Sequence, residues 1–345
     1  MIPRRTGSGE RVATLSDVAQ EASVSTATVS RCLNSPHQVD PTTRARVMKA
    51  VKDLSYTPNF GARIMAARRT NTVGAVIPTI ENSIFARGIQ AFQEELNLHG
   101  YTLLIASSSY QADVEEEQIR NLIARGAEAM LLIGYDRDPE IYRFLENRRL
   151  PVVLTWAFDE ESDRQSVGFD NRQAMEELTD LVLSYGHRRI GAISADAKTN
   201  DRARARVEGI RLAMSKHSLN QNKLNVIETL YSIENGAAAF AALMRMKMPP
   251  TVVMCGNDVL AVGALMKARE MGLRVPEDVS VTGFDDIELA EVVDPPLTTV
   301  HVPHSQMGRQ AARVLVYGIN NTTEPAREKL RTHIAERASL GPAPS

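Results

Sequence analysis

Several polar and aromatic residues stand just past short apolar runs, where a small molecule could be held. Asn82 and Phe85 follow VGAVIP (73–78), Trp156 ends PVVLTW (151–156) and Asp170 ends SVGFD (166–170). Asn257 and Asp258 follow TVVMCG (251–256), Asp285 follows VSVTGF (279–284), and Arg206 lies in RARARVEGIRLAM (202–214). Carboxylates and amides pair with adjacent hydroxyls, arginine forks onto hydroxyls or a carboxylate, and an aromatic plane covers a ring. Such a set suits a polyhydroxylated ligand. Each residue also has a structural alternative. Asn257 equally serves as cap for a helix starting at Asp258, and Asp170 and Asn171 for one over 172–185. Trp156 suits a core as well as a stacking surface, and Arg206 with Asp285 suits a plain ion pair.

Catalysis finds little support. There is no GxSxG elbow and no paired-carboxylate motif, and His187 in YGHRR falls at a strand entrance. CxxC, HExxH and histidine clusters are missing, so no metal is expected. Neither GxGxxG nor GxxxxGK[ST] occurs, so no nucleotide cofactor is expected either.

A different chemistry is written near the N-terminus, in TLSDVAQEASVSTATVSRCLN (14–34). Leu15, Val18, Ala19 and Ala22 fall at helical spacing, with Thr14 or Ser16 as cap. A break at 22–24 precedes a second helix capped by Ser25, with Val29 and Leu33 on its inner face. Two short helices around a tight turn make a helix-turn-helix, whose second helix probes the major groove. Ser25, Thr26, Ala27, Thr28, Ser30 and Arg31 suit that task, being small or hydroxylic, with one Arg able to fork onto guanine. A third helix begins at Asp40-Pro41 and buries Val47, Ala50, Val51 and Leu54. Beyond Pro58, a short segment carries Ile64, Met65 and Ala66 beside Arg63, Arg68 and Arg69, too short to be a stable helix alone.

Charge follows the same division. Residues 1–70 carry a net +6 and residues 71–345 a net −8, within a total of −2. A basic segment on an acidic body points one end toward a polyanion. The acidic run 113–117 reads as a solvated helix start.

The elements that must position the polar set occupy the rest of the chain. Short apolar runs alternate with amphipathic stretches, the signature of parallel sheets covered on both faces. Two sets of runs predict two lobes, and 297–316 crosses back to the first. The fold class expected is therefore α/β: an all-α helix-turn-helix headpiece followed by a two-lobed α/β domain like that of the periplasmic binding proteins. The expected divisions are an arm (1–13), headpiece (14–57), hinge helix and linker (58–70) and two-lobed domain (71–340). Lobe 1 takes about 71–168 and 302–326, lobe 2 about 169–298 and 328–340. The chain's 345 residues, 43% hydrophobic and 24% charged, fit such a globular body. No apolar run reaches the roughly 18 residues of a membrane helix, the N-terminus does not read as a secretory signal, and two distant cysteines fit a reducing cytoplasm.

The runs TLSDVAQEASVSTATVSRCLN and VDPTTRARVMKAVKDLSYTPN closely resemble the headpiece of the lactose/galactose repressor (LacI/GalR) family. IPTIENSIFA, SYGHRRIGAIS, ARVEGIRLAM, CGNDVLAVGALMKAREMGLRVPEDVSVTGFDD and DPPLTTVHVP extend the resemblance to about residue 320. It implies that Thr26, Ala27 and Arg31 read bases, within a DNA-binding set that includes Thr14, Leu15, Ser25, Thr28, Ser30 and Asn34. It implies, too, that the hinge segment packs against its dimer mate in the minor groove through Asn59, Ala62, Met65 and Ala66. Met65 stands where the family usually wedges a leucine. Ser23 stands where the family usually has glycine. For the second domain it implies Arg206, Asn257 and Asp285 as polar contacts to the effector and Tyr231 as a stacking aromatic, with Asn82, Phe85 and Trp156 in the same cleft.

The sequence thus predicts a cytoplasmic homodimeric transcriptional regulator, a repressor by resemblance, that binds pseudo-palindromic operator DNA under control of a sugar or sugar acid. A solute-binding protein with the same two-lobed body is the alternative, and the basic headpiece argues against it.

Overall fold

The computed structural model describes residues 13–34, 36–57, 69–81, 83–320 and 327–344. The chain divides into two compact units, Met1–Thr70 and Asn71–Ser345.

In the first unit, helices α1 (Leu15–Glu21), α2 (Thr26–Asn34) and α3 (Pro41–Asp53) enclose a small core. Val18, Ala19, Ala22, Val29, Cys32, Val47 and Ala50 are buried, with Leu15, Leu33, Val51 and Leu54 packed at its edge. With so few large apolar side chains, local signals carry much of the specification. The Thr14 hydroxyl accepts the Asp17 N–H at 3.3 Å, while the Asp17 carboxylate accepts the Thr14 N–H at 2.7 Å, closing a capping box. The α1–α2 turn is made at Ser23, φ 52°, a left-handed conformation costly for any residue with a Cβ. Ser25 Oγ then accepts the Thr28 N–H at 3.1 Å and starts α2. Asp40 accepts the N–H groups of Thr42 and Thr43 at 3.1 and 3.0 Å ahead of Pro41, which starts α3. These contacts, the Thr42 hydroxyl foremost, hold its carboxyl below the ordinary value.

The second unit carries two parallel sheets. The first has the order β11-β5-β4-β3-β1-β2, from Arg327–Lys329, Ser166–Gly168, Val152–Thr155, Ala129–Ile133, Thr72–Ile77 and Thr102–Ser107. The second has the order β7-β6-β8-β9, from Asn225–Glu228, Ile190–Ser194, Val252–Cys255 and Ser280–Thr282. All pairings within both sheets are parallel. The central strands β1, β3, β6 and β8 are wholly buried, so their sequences are apolar apart from Thr72 at the start of β1 and Ser194 at the end of β6.

Among the described residues, eight longer helices cover the sheets: α4 (Ala86–Leu98), α5 (Ala112–Ala124), α6 (Pro139–Asn147), α7 (Asn171–Ser184), α8 (Asp201–Lys216), α9 (Ile233–Met244), α10 (Asp258–Glu270) and α12 (His304–Ile319). The one-turn α11 spans Leu289–Val292. Helix α12 packs on α4 so closely that a Cβ at Gly308 would collide with the Gly88 carbonyl. In the acidic run, Glu115 does not stay in solvent. It pairs at 2.8 Å with Arg137, whose side chain is only 2% exposed.

The chain passes between lobes after β5, again between β9 and α12, and finally after β11. Strands β10 (Thr299–His301) and β12 (His333–Ala335) pair antiparallel along the last two crossings. Because β11 pairs with β5 in the first sheet, the first lobe extends to Lys329, past the boundary at 326–328 expected from sequence. Four of the described strands escaped the sequence reading: β7, β10, β11 and β12. All are short; β10 lies within the segment read only as a crossing, β7 and β11 lie at sheet edges, and β7, β11 and β12 have no fully buried residue to enforce an apolar pattern.

No described helix is long and apolar enough to cross a membrane. Both cysteines are buried and unbridged.

Thr14→Ala removes one half of the capping box and is expected to cost the headpiece about 1 kcal/mol. Ser23→Gly relieves left-handed strain against a larger unfolded-state entropy and is expected to add a few tenths to about 1 kcal/mol. Amide hydrogen exchange of residues 13–57 in the full-length protein reads both; shifts of the same sign contradict the assignment of these local signals.

Candidate functional site

The first candidate surface is the start of α2. Thr26, Ala27 and Arg31 are exposed, as is Ser25, while Thr28 and Ser30 are half-buried. Ser25 Oγ serves the helix as cap and lies 2.9 Å from Thr28 Oγ1, so its hydroxyl already has structural work. Thr14 is exposed and engaged in the capping box, and Leu15 is half-buried at the core edge. Asn34 ends α2. The hinge candidates Asn59, Ala62, Met65 and Ala66 lie outside the described residues, as does Asn82 of the cleft.

The second candidate site lies in the cleft of the second unit. Ile84, Phe85, Tyr110 and Trp156 come from the first lobe, and Asn200, Arg202, Arg206, Tyr231 and Asp285 from the second. They enclose a cavity of about 20 Å³, room for about one water molecule. Five of the sequence candidates (Phe85, Trp156, Arg206, Tyr231 and Asp285) therefore meet at one place.

Asp285 is the centre of this site. It follows β9 with a left-handed φ of 109° and is 1% exposed. Neither carboxylate oxygen has a hydrogen-bond partner. The guanidinium of Arg206 is 3.7 Å away, close enough to attract but too far to bond. Burial pushes the Asp285 carboxyl up to about 7, against the pull of Arg206 and Arg202. Arg206 is itself aimed by three contacts. Its Nε donates to Asn171 Oδ1 at 2.8 Å, its Nη1 donates to the Gly256 carbonyl, and its plane lies 3.7 Å over the Phe284 ring. Asn171 in turn donates to the Trp156 carbonyl at 2.9 Å.

Trp156 sits beyond β4 with a left-handed φ of 59° and meets Phe85 edge-on at 5.2 Å. Its indole N–H donates to His304 Nδ1 at 3.2 Å, which leaves the His304 proton on Nε2 to donate to the Asp285 carbonyl at 3.1 Å. Burial depresses His304 to about 4, so the ring is neutral at pH 7. A Cβ at Gly88 would run into this indole, so the glycine on α4 makes its room.

Asn257 does not reach the cavity wall. It is fully buried, its Oδ1 caps α10 through the Leu260 N–H at 2.9 Å, and its Nδ2 has no partner. Asp258 is tied into the fold, accepting from the Thr299 hydroxyl at 2.6 Å and the Ile287 N–H at 2.8 Å. Asp170 caps α7 through the Gln173 N–H.

Sequence reasoning missed Ile84, Tyr110, Asn200, Arg202, Asn171 and His304. Tyr110 stands three residues past β2, so the strand-end rule that picked out Trp156 could have found it. Arg202 is one helical turn before Arg206 and shares its face of α8. His304 had no such signal. Among the described residues no group of three or more His, Cys, Asp or Glu could hold a metal ion.

A helix-turn-helix joined to a two-lobed domain with a charged, aromatic-lined cleft defines a ligand-responsive DNA-binding regulator. Comparison with known proteins agrees. Residues 14–59 match the profile of the bacterial regulatory proteins of the lacI family, and residues 179–340 that of the periplasmic binding protein-like domain. The HTH-type transcriptional repressor CytR of Escherichia coli is 35% identical over 308 residues, 89% of this chain and 90% of that protein. A LacI-family transcriptional regulator from Silicibacter pomeroyi superimposes with TM-score 0.86 at 25% identity, covering 95% of this chain and 99% of that one. The transcriptional regulator CelR in its cellobiose complex gives TM-score 0.69 at 30% identity, covering 95% and 99%.

The chain belongs to the LacI family of bacterial transcription regulators. As such it is a DNA-binding transcription regulator that carries an effector-binding domain.

The shift of Asp285 has a sign that can be measured. Below about pH 4 the group is protonated in folded and unfolded chains alike. Between there and about pH 7 only the unfolded chain ionises, so stability falls as pH rises, and above pH 7 the penalty is constant. Asp285→Asn escapes this loss. Its stability relative to the parent is expected to rise by on the order of 1–3 kcal/mol from pH 5 to pH 8. A difference that stays constant over that range in thermal unfolding contradicts the shifted ionisation.

Proposed function

We propose that the cleft binds a polyhydroxylated metabolite, a sugar or sugar acid, and that its occupancy sets the affinity of the paired headpieces for a pseudo-palindromic operator in the cytoplasm. The observation that carries this reading is the Asp285 carboxylate, buried with both oxygens unpartnered beside Arg206. A buried charge without hydrogen bonds is costly, and two ligand hydroxyls donating to it would remove that cost. Phe85, Trp156 and Tyr231 supply apolar walls for the carbon face of a ring. The cellobiose bound by CelR supports a saccharide in a body of this kind.

The residual cavity of about 20 Å³ is smaller than any sugar, so entry requires the lobes to part. Asn257 acts in this reading by holding the start of α10 beside the site. Thr26, Ala27 and Arg31 read base edges, Thr14, Leu15, Ser25, Thr28, Ser30 and Asn34 seat the headpiece, and the segment with Asn59, Ala62, Met65 and Ala66 enters the minor groove. The protein acts by binding, with no catalytic step.

Trp156 is the only tryptophan in the chain, so its fluorescence reports on the cleft. Titration with sugars and sugar acids is expected to change that signal and to shift the operator midpoint in a gel-mobility assay. Donation by ligand hydroxyls favours the ionised carboxylate, so effector affinity is expected to rise from pH 6 to pH 8. Affinity that falls over this interval, or a fluorescence change without any effect on operator binding, contradicts the proposal. On the DNA side, Arg31→Ala is expected to lose about 1–3 kcal/mol of discrimination between operator and scrambled duplex. An equal loss on both duplexes removes Arg31 from base reading.

A further inference from the structure

We propose that the hydroxyl of Tyr110 is a specificity-determining contact of the effector cleft: it hydrogen-bonds one particular oxygen of the ligand, and only when the lobes are closed. The inference rests on the polyhydroxylated-ligand reading and deepens it.

The backbone goes to unusual lengths to place this side chain. Ser109 and Tyr110 both adopt left-handed conformations, φ 52° and 60°, although neither is glycine. Two consecutive strained residues persist only where their surroundings fix them. Here the Ser108 N–H donates to the Ile77 carbonyl and the Gln111 N–H to the Ser108 carbonyl, both at 2.9 Å, pinning the loop between β2 and α5. The result turns the Tyr110 ring into the cleft, where it meets Tyr231 of the other lobe edge-on at 5.8 Å.

The hydroxyl at the end of that ring is buried and has no hydrogen-bond partner. Other tyrosines nearby are satisfied. Tyr135 receives the Asp159 N–H, Tyr142 donates to the Tyr135 carbonyl, and Tyr231 is contacted by the Ala195 backbone. Ring packing alone would be served by phenylalanine, and the buried oxygen is then a cost without a return. Burial also pushes the Tyr110 phenol well above its ordinary range, so it keeps its proton and can donate. That complements Asp285, which in its ionised form only accepts.

Tyr110 shares the cavity wall with Arg202, Arg206 and Asp285 but comes from the opposite lobe. A ligand held by Asp285 and Arg206 therefore meets Tyr110 only on closure. A ligand lacking the matching oxygen would close the lobes around an unpaired hydroxyl, and sites built to bond a polar group reject analogues without it.

Full-length wild type, Tyr110→Phe and Asp285→Asn would be titrated calorimetrically with D-ribose, D-glucose, cellobiose and D-gluconate, then with monodeoxy analogues of whichever binds. Tyr110→Phe is expected to weaken the parent sugar by about 3- to 10-fold. One deoxy analogue is expected to lose affinity for wild type and to show no further loss with Tyr110→Phe, a coupling that mere packing does not produce. Undiminished affinity in Tyr110→Phe, or deoxy penalties that persist in full at every position, overturns the assignment while leaving the sugar reading intact. Asp285→Asn binding the sugar as wild type does, or no binding of any of the four to wild type, overturns the sugar reading and this inference with it.

Discussion

The second unit depends on a carboxylate in an uncomfortable place. Asp285 is enclosed at the end of β9, held there by a left-handed backbone, with an arginine close by but outside bonding range. A protein that needed only a stable core would place a hydrophobic side chain there, since buried ionic groups often add little stability. The surrounding structure is arranged to tolerate the charge without quenching it. Asn171, the Gly256 carbonyl and the Phe284 face hold Arg206 in line. Asp258 satisfies itself on Thr299 and Ile287 and anchors the loop that carries Asp285.

The same residue is tied mechanically to the first lobe. The Asp285 carbonyl receives His304, and His304 receives Trp156, so backbone displacement at the Asp285 loop is felt by an indole packed on α4 at Gly88. Other contacts bridge the lobes at the rim. Arg204 pairs with Asp136 at 2.8 Å, Arg87 with Glu288 at 2.6 Å, and the Asp201 carboxylate accepts the Tyr135 N–H at 2.5 Å. Exposed ion pairs such as the first two are worth only about 0–1 kcal/mol each. They can bias closure without locking it, which leaves the balance between open and closed lobes within reach of a ligand's binding energy.

Much of this was legible in the residues. Buried parallel strands must be largely apolar, so β1, β3, β6 and β8 announced themselves, and the rule that ligands sit beyond strand ends picked out Phe85, Trp156 and Asp285. Capping chemistry is local, so Thr14, Ser25 and Asp40 could be read directly. What stayed hidden depends on tertiary neighbours. The edge strands β7 and β11 and the antiparallel β12 carry no apolar pattern because little covers them. Asn171 looked like one more residue at a helix start, and only the fold brings it between Arg206 and the Trp156 carbonyl. His304 matters through its bonds to Trp156 and the Asp285 carbonyl, which no local signal announces, whereas the cap that Asn257 forms for its own helix was one of the two readings its position allowed.

Coupling between Asp285 and DNA is the central claim, and one linkage measurement tests it most directly. Operator dissociation constants would be determined for full-length wild type and Asp285→Asn, each with and without a saturating concentration of a sugar shown to bind wild type. The account predicts that the sugar shifts the wild-type constant several-fold or more, in the range typical of allosteric coupling, whereas Asp285→Asn grips the operator with one affinity in both conditions. A variant that binds operator and still responds to the sugar as wild type does would contradict it.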